Sequence, residues 1–278
     1  MITIDGRKIR DEILAKIKDE VARLSFTPVF CDVLVGDDPA SLQYVKIKER
    51  TAEAVGISFH RANFPEDITT DKLIEEIKIL NKTPNMCGII VQLPLPKHLD
   101  RQMVLDSIEP RLDVDCLGAV ASEKFYKGEN SFSFPAALSC MVLLDSLNLN
   151  LGDKRIVVLG QGMLVGKPVT ALLRVRDLLP EIITNETPNK EEIIKRADVV
   201  ISGMGKGKYL TGEMIKKGVI LIDAGTSESE GGIIGDVDSE SVKDVAGYLS
   251  PVPGGVGPVT VAMLLSNVLQ VAKNISKL

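Results

Sequence analysis

Apolar runs of strand length alternate with amphipathic stretches of helix length along this chain, and that alternation leaves few folds open. Val29 to Val35 reads as an apolar strand, a helix follows from Asp38 to about Val55, and a second strand runs from Ile57 to Asn63. A helix from about Thr70 to Leu80 and the apolar strand Gly88-Ile-Ile-Val-Gln92 continue the pattern, ended abruptly by Leu93-Pro94-Leu95-Pro96. Strand–helix alternation of this kind calls for a mostly parallel sheet covered on both faces. In such sheets ligands bind beyond the carboxyl ends of the strands, and Gln92 stands at one such end. Its amide needs a partner in so apolar a run, either a ligand group or a neighbouring loop.

The pattern changes register at Arg155. Arg-Ile-Val-Val-Leu-Gly160-Gln161-Gly162-Met-Leu-Val165-Gly166-Lys-Pro is a strand, a glycine turn and a helix. That order presents a helix amino terminus to a pyrophosphate, with glycines letting the backbone approach. The spacing Gly-x-Gly-x-x-x-Gly is one residue longer than the usual fingerprint. Strands at Ile182 to Asn185, Asp198 to Ser202 and Val219 to Asp223 complete a Rossmann-like reading. With 278 residues the chain is long enough for two domains, each with its own core. The fold class expected is therefore α/β with two domains. One is an N-terminal α/β domain over 1–138 completed by a C-terminal helix (258–278), and the other is a Rossmann-like domain over 139–257.

Asp38-Pro39 is a helix start, because the carboxylate accepts orphan amide protons and proline has none to lose. Gly56 closes that helix. Tyr44 and Lys48, four residues apart on it, project from one face. An aromatic ring and an amine then meet over one cavity, unless Lys46, Lys48 and Arg50 simply form a solvated face. Asp113 and Asp115, at a spacing of two, point to one side if their segment is extended, or cap a turn if it is not. Ser250-Pro-Val-Pro253-Gly254-Gly255-Val-Gly-Pro is too rich in Pro and Gly for a regular element; it suits a flat ligand or an interdomain hinge. An apolar closing helix follows from about Thr260.

Composition narrows the chemistry. A net charge of −5 argues against a general nucleic-acid binder. No run of about 18 apolar residues is evident for a membrane span, and the charged first 20 residues do not read as a secretory signal, so a cytoplasmic protein is expected. Cys31, Cys87, Cys116 and Cys140 lie far apart, which suggests neither a zinc site nor a disulfide framework. With only His60 and His98 in the chain, histidine-based metal or triad chemistry is not expected; lysine, carboxylate or a bound cofactor must serve.

Five separated stretches, in order, resemble the bifunctional methylenetetrahydrofolate dehydrogenase/cyclohydrolase family along nearly the whole chain. They are Val35-Gly-Asp-Asp-Pro-Ala-Ser41-x-x-Tyr44-x-x-x-Lys48, Gly88-Ile-Ile-Val-Gln92-Leu-Pro-Leu-Pro-x-His98, Asp113-Val-Asp115, Val165-Gly-Lys-Pro168 and Pro251-Val-Pro-Gly-Gly-Val-Gly-Pro258. The resemblance implies a folate-binding catalytic domain facing a nicotinamide-binding domain across a cleft. It implies Lys48 as catalytic amine, Tyr44 stacking on the folate, Gln92 hydrogen-bonded to the lysine and Asp115 gripping the pterin ring. Pro253, Gly254 and Gly255 would line the substrate, and Gly160, Gln161, Gly162, Val165, Gly166, Asn185 and Glu186 the nucleotide. A homodimer joined through the nucleotide domain is also implied. Burial disfavours a charged amine, so a pocket lined by Tyr44 and Val91 would supply neutral Lys48 for the hydrolytic step.

The chain departs from the family pattern mainly on the cofactor side. Gly160-Gln161-Gly162 stands where the family has Gly-Arg-Ser, removing an arginine that commonly helps bind the 2'-phosphate of NADP. Glu186 stands where a carboxylate would accept from the ribose 2'-hydroxyl of NAD. The cofactor expected is NAD or NADP, with NAD favoured. Pro135-Ala-Ala-Leu138 replaces Pro-Cys-Thr-Pro, and Cys116 replaces the glycine after Asp115. A cyclohydrolase with weakened or lost dehydrogenase activity is the competing reading, and a silent folate or dinucleotide binding module a further one.

Overall fold

The computed structural model describes residues 1–130, 132–229 and 232–276. The chain divides into two compact units, Glu12–Phe134 with Leu264–Leu278, and Met1–Asp11 with Pro135–Met263. The amino-terminal strand β1 (Ile2–Thr3) belongs to the second unit, and helix α1 (Gly6–Val21) leads from it into the first.

The first unit is built on β2 (Val29–Val35), α2 (Pro39–Ala54), β3 (Ser58–Phe64), α3 (Thr70–Leu80) and β4 (Met86–Val91). The strands form a parallel sheet of order β3-β2-β4, with β2 in the middle. Phe30, Cys31, Val33 and Leu34 are buried on its two faces, as a strand covered on both sides requires. Short helices α4 (Arg101–Asp106) and α5 (Ala119–Tyr126) follow β4. Thr69 caps α3 through its hydroxyl and Asp100 caps α4 through its carboxylate, each accepting a backbone N–H.

The second unit holds α6 (Pro135–Asp145), β5 (Ile156–Leu159), α7 (Gly166–Val175), β6 (Glu181–Ile183), α8 (Lys190–Arg196), β7 (Val199–Ser202) and β8 (Ile220–Asp223). A small antiparallel pair, β9 (Ser227–Ser229) and β10 (Gly232–Ile234), then α9 (Ser239–Val242) and β11 (Tyr248–Ser250) complete it. Its parallel sheet has the order β1-β11-β8-β7-β5-β6. Val157, Leu159, Val200 and Leu221 lie at its core, closed over by Ile194 and Val242 from the helices.

The closing helix α10 (Val256–Ile275) starts a turn earlier than its sequence pattern suggests. By length and composition α10 could cross a membrane, but 61% of its apolar window is buried within the protein. Val259, Ala262, Leu265, Val268 and Ala272 are among its fully buried positions, the stripe of a core helix. In the first unit, a Cβ on Gly88 would come within 2.9 Å of Val268 and Val114, so glycine lets α10 and the Asp113–Asp115 segment approach β4 closely.

The sequence reading assigns no strand to the first residues, yet Ile2 and Thr3 pair in parallel with Tyr248 and Leu249. With that pairing, residues 1–11 group with 135–263 in one compact unit. A two-residue strand has no periodicity to read, and its partner lies at the far end of the sequence.

Candidate active site

Helix α2 begins where its sequence says it should. Asp38 Oδ2 accepts from Ser41 N at 2.8 Å, and Pro39 occupies the first helical position. The helix buries Ser41, Val45, Lys48 and Ala52 on one stripe, while Lys46 and Arg50 remain exposed. Lys48 thus leaves the solvated face: it is only 8% exposed, whereas Tyr44 one turn earlier is 43% exposed. The ring stands at the open side and the amine at the buried side.

Two groups meet the amine. Lys48 Nζ donates to Gln92 Oε1 at 2.7 Å, and Gln92 Nε2 donates to Leu93 O at 2.8 Å. The second bond fixes which end of the amide faces the lysine. Lys48 Nζ also lies 2.6 Å from Asp32 Oδ2, an ion pair by distance whose angles fall outside hydrogen-bond geometry. Asp32 is fully buried and neither of its oxygens has a hydrogen-bond partner. Burial pushes its carboxyl above the ordinary range, an effect the nearby Lys48 opposes. This carboxylate is missing from the sequence reading, although one charged residue inside the apolar run Val29 to Val35 was its signal.

The two aspartates after β4 part company. Their segment is a turn with a single bridge, Ile89 to Asp113, so it is not extended and the spacing of two does not aim both side chains one way. Asp113 is buried and accepts from Gly118 N at 2.7 Å and Leu117 N at 3.3 Å, which makes it the fastener of its own loop. Asp115 is largely buried but keeps some exposure; burial pushes its carboxyl up to about 7, Lys48 pulls it down, and Asp113 and Asp32 add to the rise. Asn267 of α10 holds the segment by donating to Val114 O at 2.8 Å and Ser133 O at 2.7 Å. Cys116 sits at φ +60°, a backbone conformation that suits glycine.

A separate cavity opens in the second unit at the carboxyl ends of β5, β6 and β7. Gly160, Gln161, Gly162 and Asn185 line it, as the sequence suggests; Val165, Gly166 and Glu186 do not. Val165 instead packs on Gly203, and Gly166 underlies the turn: a Cβ there would fall 2.1 Å from Gly160 O. Gly160 has φ +86°, and a Cβ on it would lie 2.8 Å from Gly203 O. Gly162, by contrast, faces open space to 4.0 Å. This cradle of bare backbone fits a dinucleotide pyrophosphate. Glu186 is exposed, its backbone N–H donating to Thr184 Oγ1 at 3.3 Å. Two lysines that sequence reasoning missed line the cavity: Lys206, whose Nζ donates to Asn185 Oδ1 at 2.9 Å, and Lys190, both 6.0 Å from the Tyr209 ring centroid.

The Pro253, Gly254 and Gly255 loop lies in the second unit. Gly255 N donates to Pro251 O at 2.7 Å and Gly6 N to Gly254 O at 3.0 Å. A Cβ on Gly255 would fall 2.2 Å from Ser250 Oγ, so close packing by itself demands glycine there.

Comparison with known proteins agrees with this geometry. Residues 4–115 match the model of the tetrahydrofolate dehydrogenase/cyclohydrolase catalytic domain, and 135–276 that of the NAD(P)-binding domain. This chain belongs to the tetrahydrofolate dehydrogenase/cyclohydrolase family. Among relatives of this dehydrogenase/cyclohydrolase, the bifunctional protein FolD of Nautilia profundicola is 41% identical, over 100% of this chain and 99% of that protein. The FolD of Methanoculleus marisnigri is 38% identical, over 97% and 96%. The crystal structure of the bifunctional FolD enzyme from Campylobacter jejuni superposes with a TM-score of 0.94 at 35% identity, covering 99% of each chain. The Trypanosoma brucei dehydrogenase-cyclohydrolase, solved with NADP and an inhibitor, gives 0.93 at 33% identity, covering 100% of this chain and 99% of that one. For this dehydrogenase/cyclohydrolase, then, the α/β class with a catalytic and an NAD(P)-binding domain is established.

Proposed function

We propose that this enzyme oxidises 5,10-methylenetetrahydrofolate to the 5,10-methenyl form with a nicotinamide cofactor and hydrolyses that product to 10-formyltetrahydrofolate. The observation that carries the reading is the buried Lys48 amine, held by Gln92 Oε1 at 2.7 Å and in electrostatic reach of the largely buried Asp115. Tyr44 offers an exposed ring for the pterin or its aryl neighbour, and Asp115 two acceptor oxygens for adjacent pterin N–H donors. In hydrolysis a water oxygen bonds to the methenyl carbon while its proton leaves to Lys48 Nζ. The C–N5 bond then breaks, N5 takes a proton and the formyl group stays on N10.

The bound nicotinamide supplies the hydride acceptor. Gly160, Gln161 and Gly162 would hold its pyrophosphate against α7, with Asn185, Lys190 and Lys206 around the adenosine ribose. Among the described residues, two lysines and no carboxylate line the cavity, which favours the 2'-phosphate of NADP over a bare 2'-hydroxyl, against the preference for NAD read from Glu186. The enzyme works in the cytoplasm as a homodimer, on a small-molecule folate and without nucleic acid or membrane, in keeping with the net charge of −5.

Lys48→Ala tests the reading. It should keep the fold and lose cyclohydrolase turnover; retained turnover refutes the assignment. Following methenyl formation with NAD and with NADP decides the cofactor. Hydrolysis with neither nucleotide supporting oxidation would instead identify a cyclohydrolase alone.

A further inference from the structure

The middle strand of the catalytic unit carries a carboxylate that the proposed reaction does not use. Asp32 lies on β2 between β3 and β4, in register with the exposed Arg61 and the buried Ile90, in a strand whose other residues from Phe30 to Val35 are buried and apolar. A fully buried carboxylate with no hydrogen-bond donor on either oxygen is costly, and proteins retain such a group only where something offsets it. Among the described residues the compensating group is Lys48 Nζ, 2.6 Å from Oδ2. Other charges nearby are committed elsewhere. Arg61 shares the sheet face with Asp32 but is engaged by Glu49 of α2, with Nε to Oε1 at 2.8 Å. The neighbouring Cys31 thiol is pushed up by burial and by Asp32, so it stays neutral. Asp115 feels both Asp32 and Lys48, and Asp113 is spent on its own loop.

Lys48 Nζ therefore has one neutral hydrogen-bond acceptor, Gln92 Oε1, and one ionisable neighbour, Asp32 Oδ2, in ion-pair contact. Gln92 can orient the amine but cannot take a proton from it. Asp32 can, and moving one proton from Lys48 to Asp32 turns a buried ion pair into a buried neutral pair with no change in net charge. Low dielectric favours that exchange.

We propose that Asp32 is the proton partner of Lys48, a positioning residue that makes the lysine a base by accepting its surplus proton. One N–H of Lys48 breaks and an O–H forms on Asp32, leaving the amine with a lone pair. The amine turns about its Cε–Nζ bond, keeping an N–H on Gln92, and takes a proton from the water as the water's oxygen bonds to the methenyl carbon. On ring opening N5 gains a proton as the carbinol O–H gives one up. The proton on Asp32 then returns through Lys48 to solvent, so the turnover releases one proton, as hydrolysis of a cationic methenyl group must. This inference rests on Lys48 being the base, and it adds what the sequence resemblance lacks: how an amine beside a carboxylate becomes neutral.

The test is Asp32→Asn, which keeps the side chain's shape and removes its ability to hold the proton. Asp32→Val, which matches the apolar strand and leaves no buried polar atom, is a second variant. Asp32→Glu restores a carboxyl. Folding is followed by thermal melting and by affinity for the nicotinamide nucleotide. Cyclohydrolase kcat should fall roughly a hundredfold or more in the Asn and Val variants, with KM little changed and the pH–rate profile displaced upward, and the Glu variant should recover part of it. Turnover within threefold of the unmodified enzyme, with the same pH profile in a folded Asn or Val variant, overturns the proposal. The unmodified enzyme gives a reading that needs no variant. With [13C]carboxyl aspartate and [15N]lysine, one carboxyl signal and the Lys48 Nζ signal should shift together at a common pH midpoint. Independent midpoints overturn the proposal too. If Lys48→Ala keeps hydrolytic turnover, the functional reading itself falls; if Lys48→Ala is inactive and Asp32→Asn is fully active, only the role of Asp32 does.

Discussion

Gln92 faces Lys48 with its oxygen because its nitrogen is already taken: Nε2 donates to Leu93 O at 2.8 Å, which turns Oε1 towards Nζ at 2.7 Å. The interaction aims the amine without altering its charge. Gln92→Met, similar in volume and without an acceptor, should therefore lower cyclohydrolase kcat by about 10- to 100-fold and change KM little. Steady-state kinetics on the methenyl substrate decide it. A rise in KM at unchanged kcat would make Gln92 a binding residue instead.

Asp115 supplies a pH dependence of substrate binding. Its carboxyl is pushed up to about 7, chiefly by burial, so it gains a proton just below neutral pH. Only the ionised form accepts from two pterin N–H donors, so folate affinity should be highest above about pH 7 and fall as pH drops through that value. Dissociation constants for a folate ligand measured between pH 5 and 8 should show this, and Asp115→Asn should bind weakly with a flat profile. An equal slope in the Asn variant would assign the effect to another group.

Stability should move the other way. Burial raises the carboxyls of Asp113 to about 6, Asp115 to about 7 and Asp223 to about 7. A carboxyl whose folded value lies above its unfolded one holds more protons when folded. Its stabilisation is complete below the unfolded value and lost as pH rises through the folded one. The lowered carboxyls Asp38, Glu49, Glu123 and Asp198 act below the ordinary range, outside this window. The ligand-free protein should melt at a higher temperature at pH 5.5 than at pH 8, which calorimetry can check.

Much of the catalytic unit was legible because its signals are local. Asp38-Pro39 and Gly56 bracket α2, and the Tyr44, Lys48 spacing follows from helical geometry alone. Long-range features were not. The Lys48 to Asp32 contact joins a helix to the strand before it, and nothing in Val29 to Val35 says which face Asp32 takes. Glu186 follows the end of β6 as a nucleotide-reading acid should, but the Thr184 to Thr187 turn, closed by Thr184 N donating to Thr187 Oγ1 at 2.9 Å, leaves it exposed and outside the cavity. Lys190 and Lys206 read as ordinary surface lysines until α8 and the loop after β7 bring them to one ring, Tyr209.

Packing at the glycine turn gives a sharper test than its spacing. A Cβ on Gly166 would sit 2.1 Å from Gly160 O and 2.9 Å from Gln161 Cα, both backbone and neither able to yield. Gly166→Ala should therefore force the turn away from α7 and weaken binding of either nucleotide at least tenfold, with a lowered melting temperature. Gly162→Ala, whose Cβ meets nothing nearer than 4.0 Å, should leave the fold intact and reduce nucleotide binding alone. Titration of both variants with NADP separates the two, and an unaltered Gly166→Ala would mean that the turn is softer than its contacts imply.

The two cavity lysines make the choice of nucleotide a matter of charge. Lys206 is held by Asn185 Oδ1 at 2.9 Å, so its ammonium is already placed at the cavity wall, while Lys190 approaches the same Tyr209 ring from α8. A 2'-phosphate entering there would gain charge-assisted hydrogen bonds worth roughly 1.5–3 kcal/mol each, whereas a 2'-hydroxyl would gain far less. Lys206→Ala should thus weaken NADP about tenfold or more and NAD by less than about threefold. The double variant with Lys190→Ala should bring the two affinities together. Calorimetric titration with NAD, NADP and 2'-phospho-AMP reads this without turnover, and equal losses for NAD and NADP would show that the lysines hold the pyrophosphate and not the 2' position.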